Sequence, residues 1–111
     1  MVYGLMANAY VNAKVDLTTT NATTLYTCAD FTTAIVKSML VSEDSGNADS
    51  ITVTLTDGSD VYSLFKTKAV AANATEELLT APLVIQEGEI LKVTAATADR
   101  LHVVASILEV T

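Results

Sequence analysis

The sequence predicts an all-β protein, an antiparallel β-sandwich of jelly-roll or immunoglobulin-like type with about eight to nine short strands. Three observations carry this. The 111 residues include 17 Thr and 13 Val, types that suit a pleated, half-buried surface. Apolar and polar residues alternate with a period of two through most of the chain. From Asp44 onward, turn-forming residues recur at intervals of about 8–12 residues.

The elements follow in order. Residues 1–10 are small and apolar with no clear period, and read as an N-terminal arm that orders on a partner. The rest, 11–111, reads as a single sandwich domain. In the first strand Val11, Ala13, Val15 and Leu17 alternate with Asn12, Lys14 and Asp16. Strands are then expected at Thr23–Cys28 and Ala34–Val41. A polar loop, Ser42 to Ser50, leads to a strand in which Ile51, Val53 and Leu55 alternate with threonines. Asp57-Gly58 between two alternating runs reads as a hairpin turn into Val61–Lys66.

The alanine-rich stretch Ala69–Glu77 is too short for a stable isolated helix. A loop passing from one sheet to the other is the preferred reading. Further strands are expected at Glu77–Thr80, Leu83–Ile85, Leu91–Ala95 and Leu101–Val110. Pro82 marks an edge or a strand start. Glu87-Gly88-Glu89 reads as a tight turn, and Ala98-Asp99-Arg100 as the start of a last hairpin.

Two strands carry apolar residues on both faces. Between Thr33 and Ser42, one face holds Ile35, Lys37, Met39 and Val41, and the other Val36, Ser38 and Leu40. In Leu101–Val110, His102, Val104, Ser106, Leu108 and Val110 oppose Leu101, Val103, Ala105 and Ile107. A strand that is apolar on both faces is covered on both faces. In so small a sandwich the second cover comes from a neighbouring subunit. Ile35, Met39, Val41, Val104 and Leu108 are therefore the expected subunit interface. A loop or the arm lying over the outer face is the competing cover.

Composition excludes several functions. Six basic residues against 13 acidic ones give a net charge of −7, which disfavours phosphate neutralisation and hence nucleic acid. One cysteine, Cys28, excludes an internal disulfide framework. One histidine, His102, excludes a multi-histidine metal site. No apolar run is long enough to cross a membrane as a helix. Met1 to Met6 lack a basic n-region and an apolar core of signal-peptide length, so synthesis in the cytoplasm is expected.

No catalytic constellation emerges. His102 sits inside an apolar strand, and Cys28 reads as a small buried strand residue. The acidic pairs Asp57/Asp60, Glu76/Glu77 and Glu87/Glu89 fall in turns or at strand ends. The oxygen-rich loops Ser42–Asp49 and Asp57–Asp60 do not match the spacing of a calcium loop. The sequons at Asn21 and Asn73 read as chance matches in a Thr-rich chain. No enzyme activity, no metal and no cofactor is expected. Sugar-binding sandwiches present aromatic rings, and this chain has no Trp and six other aromatics, Tyr3, Tyr10, Tyr26, Phe31, Tyr62 and Phe65.

From residue 23 to the end, the strand-and-turn layout resembles a family of small tailed-phage virion proteins. The residues that carry the resemblance are Thr23-Thr24-Leu25-Tyr26-Thr27-Cys28 and Thr33-Ala34-Ile35-Val36-Lys37-Ser38. Ile51-Thr52-Val53-Thr54-Leu55-Thr56-Asp57 and Leu79-Thr80-Ala81-Pro82-Leu83-Val84-Ile85 follow. The last are Glu87-Gly88-Glu89-Ile90-Leu91-Lys92-Val93 and Val103 to Val110. The family often reads Gly-Asp where this chain has Gly88-Glu89. The resemblance implies a capsid decoration (cement) protein located in the virion. Its implied partners are the major capsid protein and copies of itself, as a homotrimer. A tail, neck or fibre-associated module, or a carbohydrate- or calcium-binding adhesion sandwich, is the alternative. Met1, Val2, Tyr3, Leu5, Met6 and Tyr10 are the expected capsid-binding arm.

Overall fold

The computed structural model describes residues 7–111. Nine strands follow one another: β1 (Asn8–Asp16), β2 (Thr23–Thr27), β3 (Thr33–Glu43), β4 (Asp49–Thr56) and β5 (Val61–Val70), then β6 (Thr75–Glu77), β7 (Leu83–Ile85), β8 (Ile90–Ala95) and β9 (Leu101–Val110). Among the described residues there is no helix.

Every strand pair is antiparallel, and the pairings are nested along the chain. β4 pairs with β5, β3 with both β6 and β7, β2 with β8, and β1 with β9. The chain is thus one long hairpin folded over itself into two sheets. The front sheet runs β1-β9-β3, with β6 and β7 sharing the far side of β3, and the back sheet runs β2-β8-β4-β5. This nested order is the jelly roll, which settles the choice between the two expected sandwich types.

The core lies between the sheets. Leu17, Met39, Val41, Ile51, Ile85, Leu91, Leu101 and Ile107 are completely buried there. Burying each such side chain contributes about 1.5–3 kcal/mol. The alternation predicted for β4, β8 and β9 points Ile51, Leu91, Leu101 and Ile107 inward, so in these strands the period of two and the core coincide.

Several expectations need correction. β1 starts at Asn8, so Asn8, Ala9 and Tyr10 belong to a strand and not to an arm. Met1, Val2, Tyr3, Leu5 and Met6 lie outside the described residues. Ala98-Asp99-Arg100 does not open a hairpin, because β8 and β9 lie in different sheets. It carries the chain across the sandwich, with Asp99 in a left-handed conformation (φ 65°). The strand expected at Glu77–Thr80 ends at Glu77. Beyond it, one further bond forms, from the Leu78 amide to the Met39 carbonyl. The alanine-rich stretch does cross between sheets, through a turn closed by the Ala74 amide on the Ala71 carbonyl. The Asp57-Gly58 hairpin forms between β4 and β5, with Gly58 at φ 99°, a conformation that favours glycine.

The two-faced pattern of β3 has a local cause. The register against β9 shifts between Val36 and Ser38, a β-bulge that leaves Lys37 without a partner. Inward positions before the bulge are Ala34 and Val36; after it they are Met39, Val41 and Glu43. One extra residue exchanges the faces, so simple alternation misplaces half of this strand.

Two buffered carboxylates tie loops to the front sheet. Glu43 is 2% exposed. Its Oε1 accepts from the amides of Gly46 (3.1 Å) and Asn73 (3.0 Å), and its Oε2 from the Ser45 amide (2.8 Å) and hydroxyl. Desolvation opposes ionisation, but these donors outweigh it and draw the pKa from 4.5 down to about 2. Glu77 fills the gap left by the bulge: the Ser38 hydroxyl and the amides of Met39 (2.8 Å) and Leu79 (3.2 Å) donate to it. There too the hydrogen bonds overcome desolvation and lower the pKa.

Candidate assembly surface

The outer face of the front sheet is the candidate site. Directly opposed residues of antiparallel strands share a face, so the register defines its rows. Tyr10, Leu108, Ile35 and Val84 form one row across β1, β9, β3 and β7. Lys14, Val104 and Leu40 form a second, Asn12, Ser106 and Ser38 lie between them, and Asp16, His102 and Ser42 lie beyond. The first row is apolar throughout. Tyr10 is 76% exposed, Val84 51%, Leu40 40% and Val104 39%. Four large apolar side chains in two rows on one face are more than scattered surface residues.

The expected interface divides on this geometry. Ile35, Val104 and Leu108 lie together on the outer face. Met39 and Val41 do not join them, because the β3 bulge turns both into the core, where they have no exposure. Tyr10, assigned to the arm, instead stands in β1 opposite Leu108 and completes the apolar row. Leu40 and Val84 were not singled out. Leu40 becomes outward-facing only through the bulge. Val84 was legible from the pattern Leu83, Val84, Ile85, whose middle residue must face away from its neighbours.

His102 closes one end of this face. Its Nε2 lies 3.1 Å from Asp16 Oδ1, and its Nδ1 lies 3.7 Å from Asp44 Oδ2. The imidazole thus bridges β1 and the β3–β4 loop across β9. At the opposite end Phe31 is 88% exposed at φ 59°. Its amide donates to Glu87 Oε2 at 2.6 Å, which holds the β2–β3 loop against the β7–β8 turn. A bulky residue held in the left-handed region stores local strain.

Cys28 and Tyr26 also have structural partners. Burial pushes the Cys28 thiol pKa up, and its Sγ donates to the Thr32 carbonyl. Burial and the neighbouring carboxylate likewise raise the pKa of Tyr26, whose hydroxyl donates to Glu109 across the two sheets. Among the described residues, no group of three or more His, Cys, Asp or Glu side chains is placed to hold a metal ion.

No protein-family model matches the chain, and no curated protein matches it. Solved structures do. One is a protein of Bacillus endospore appendages, a family of disulfide-linked pili, with 13% identity and a TM-score of 0.58 over 96% of this chain and 88% of that one. Another is a pentameric capsid protein from metagenomic phage sequences, with 20% identity and a TM-score of 0.46 over 89% and 60% of the two chains. A third is from the capsid of cyanophage Pam1, with 18% identity and a TM-score of 0.43 over 96% and 85%. The first likeness shows a shared sandwich fold.

Proposed function

We propose that this chain is a virion structural protein that decorates and stabilises a phage capsid. In this reading it binds the major capsid protein and copies of itself, in the homotrimer that the sequence resemblance implies. The observation that carries the proposal is the apolar row Tyr10–Leu108–Ile35–Val84 on an outer sheet face. A protein that works by bridging neighbours needs adhesive surface rather than reactive groups. Many copies acting together make modest contacts sufficient. The strand-and-turn resemblance to small tailed-phage virion proteins points to the particle as the place where this surface acts.

The test is the solution mass by light scattering after size exclusion, at several protein concentrations. A stable mass of three 11.7-kDa protomers supports the reading. A monomer at every concentration, with a Leu108→Asp variant behaving identically, overturns the self-association it requires. Copy number in purified particles then separates shell from tail: a number comparable to that of the shell protein supports decoration, and a few copies support a tail part.

A further inference from the structure

Each sheet has two edges, and three of the four are protected against strand addition. The β6/β7 edge is broken into two three-residue strands with Pro82 between them. β2 has five residues and a register shift between Thr24 and Tyr26. β5 is long, but it has two register shifts against β4, Thr67 at φ 50°, and Lys66 and Lys68 exposed along it. Short strands, bulges, lysines and proline are the devices that keep sheet edges from pairing.

β1 has one of these, the exposed Lys14, and lacks the others. It runs nine residues in unbroken register with β9, without Gly, Pro or a bulge. Among the described residues, no strand pairs with its other edge. It carries one Lys and one Asp, so the strand is neutral in a chain of net charge −7. Its Tyr10 and Val11 are both exposed, on opposite faces of the sheet.

We propose that β1 is a strand-addition edge and that its occupant is β1 of a second copy, antiparallel about a two-fold axis at Asn12. This rests on the self-association reading above and adds a second contact to it, since a two-fold pairing joins copies in pairs and does not itself close a trimer. The register with the axis at Asn12 is the one that pairs all nine residues. On the outer face it sets Tyr10 opposite Lys14 of the partner subunit, an aromatic–cation pair. It also sets Asn8 opposite Asp16 of the partner subunit, and Asn12 opposite Asn12 of the partner subunit. On the inner face Val11 meets Ala13 of the partner subunit and Ala9 meets Val15 of the partner subunit. No like charges face each other, whereas an axis at Lys14 would set two lysines face to face. The pairing also joins the apolar rows of two copies into one longer face. A two-fold contact of this kind is self-complementary and closes on itself. It therefore links two copies, or two larger oligomers across a shell's two-fold positions.

The full chain with Asn12→Cys tests this directly. Cross-strand Cα atoms about 4.5–5.5 Å apart lie within disulfide range, and Cys28 is buried and does not compete. Under oxidised glutathione, N12C gives a cystine-linked dimer, while Ser59→Cys on the exposed β4–β5 turn does not. N12C cross-linking no faster than S59C, with a circular dichroism spectrum like that of the wild type, overturns the proposal. Asn12→Asp, which places two carboxylates across the axis, weakens association about fivefold and leaves the melting temperature unchanged. An undiminished oligomer in N12D also overturns it. Leu108→Asp separates this contact from the face: N12C cross-linking with L108D silent keeps the edge contact and removes the face as the adhesive surface. L108D dissociating the protein while N12C stays uncross-linked does the reverse.

Discussion

The two sheets have similar inner faces and different outer ones: the middle strands of the back sheet present threonine and lysine, with exposed Val61 and Tyr62 on its edge strand β5, whereas the front sheet presents an apolar row across its middle. On the back sheet, Thr24, Lys92 and Thr54 form one outward row and Thr94 and Thr52 another. On the front sheet the corresponding rows are Tyr10, Leu108, Ile35 and Val84, and Lys14, Val104 and Leu40. Both sheets obey the same period of two, and both bury Val, Leu and Ile inside. The difference lies wholly in what stands at alternate positions. Threonine keeps a β-branched shape that suits the strand and offers water a hydroxyl. Valine, leucine and tyrosine offer water little, and under the proposed function a neighbour covers them. The inner positions decide that the chain folds; the outer positions are the ones the proposed association would use.

The strongest way to break this comparison uses neighbours in one strand. Leu101→Ala on the inner side of β9 removes a completely buried side chain and costs about 2–5 kcal/mol, read by urea denaturation. Val104→Ser, three residues on and facing outward, changes stability by less than about 0.5 kcal/mol. It weakens association instead, which light scattering records. Equal destabilisation by both would show that the outer face is ordinary core.

Glu43→Gln comes next. It removes an acceptor from a completely enclosed site with donors on two loops, and the melting temperature falls. The pH profile carries the sign. The folded-state pKa lies below the ordinary value of 4.5, at about 2. The stability contributed by the carboxylate is therefore full above pH 4.5 and is lost as the pH falls towards 2. The gap in melting temperature between wild type and E43Q should close over that window. A gap independent of pH would mean that the ionised carboxylate contributes nothing.

Tyr26→Phe has a smaller effect. It removes the hydroxyl that donates to Glu109 and joins β2 of the back sheet to β9 of the front sheet. A loss of about 1 kcal/mol is expected in thermal or urea melts. The smallest effect on stability, and a large one on association, is expected from Tyr10→Thr, Leu40→Thr and Val84→Thr together. This variant gives the front sheet the outer character of the back sheet. It should melt within a few degrees of the wild type and run as a smaller species. An unchanged mass would remove the apolar face as the adhesive surface.

How much of this was legible in the sequence differs from residue to residue. The alternation in Ile51–Thr56, Leu91–Ala95 and Leu101–Val110 names inner and outer residues correctly, because side-chain direction in a strand depends on the backbone alone. Val104 and Leu108 were found in this way. Met39 and Val41 were misplaced because a single bulged residue, Lys37, reverses the faces, and nothing in the local pattern marks it. Its stabiliser, Glu77, lies 38 residues from the Met39 amide that it satisfies. Tyr10 was missed as a strand residue because its partner, Leu108, stands at the other end of the chain.

Composition and a period of two were sufficient to determine an all-β sandwich, its turns and most of its core, since both follow from interactions between near neighbours. The jelly-roll order was decided only in three dimensions, as were the crossing of Ala98–Arg100 between sheets, the β3 bulge and the outer edge of β1, with which no strand of the described residues pairs. Which strands pair is a choice among distant segments of similar alternating pattern. That choice is made by the packing of the two sheets together and by side chains such as Glu43 and Glu77, which supply acceptors where the backbone ladder is interrupted.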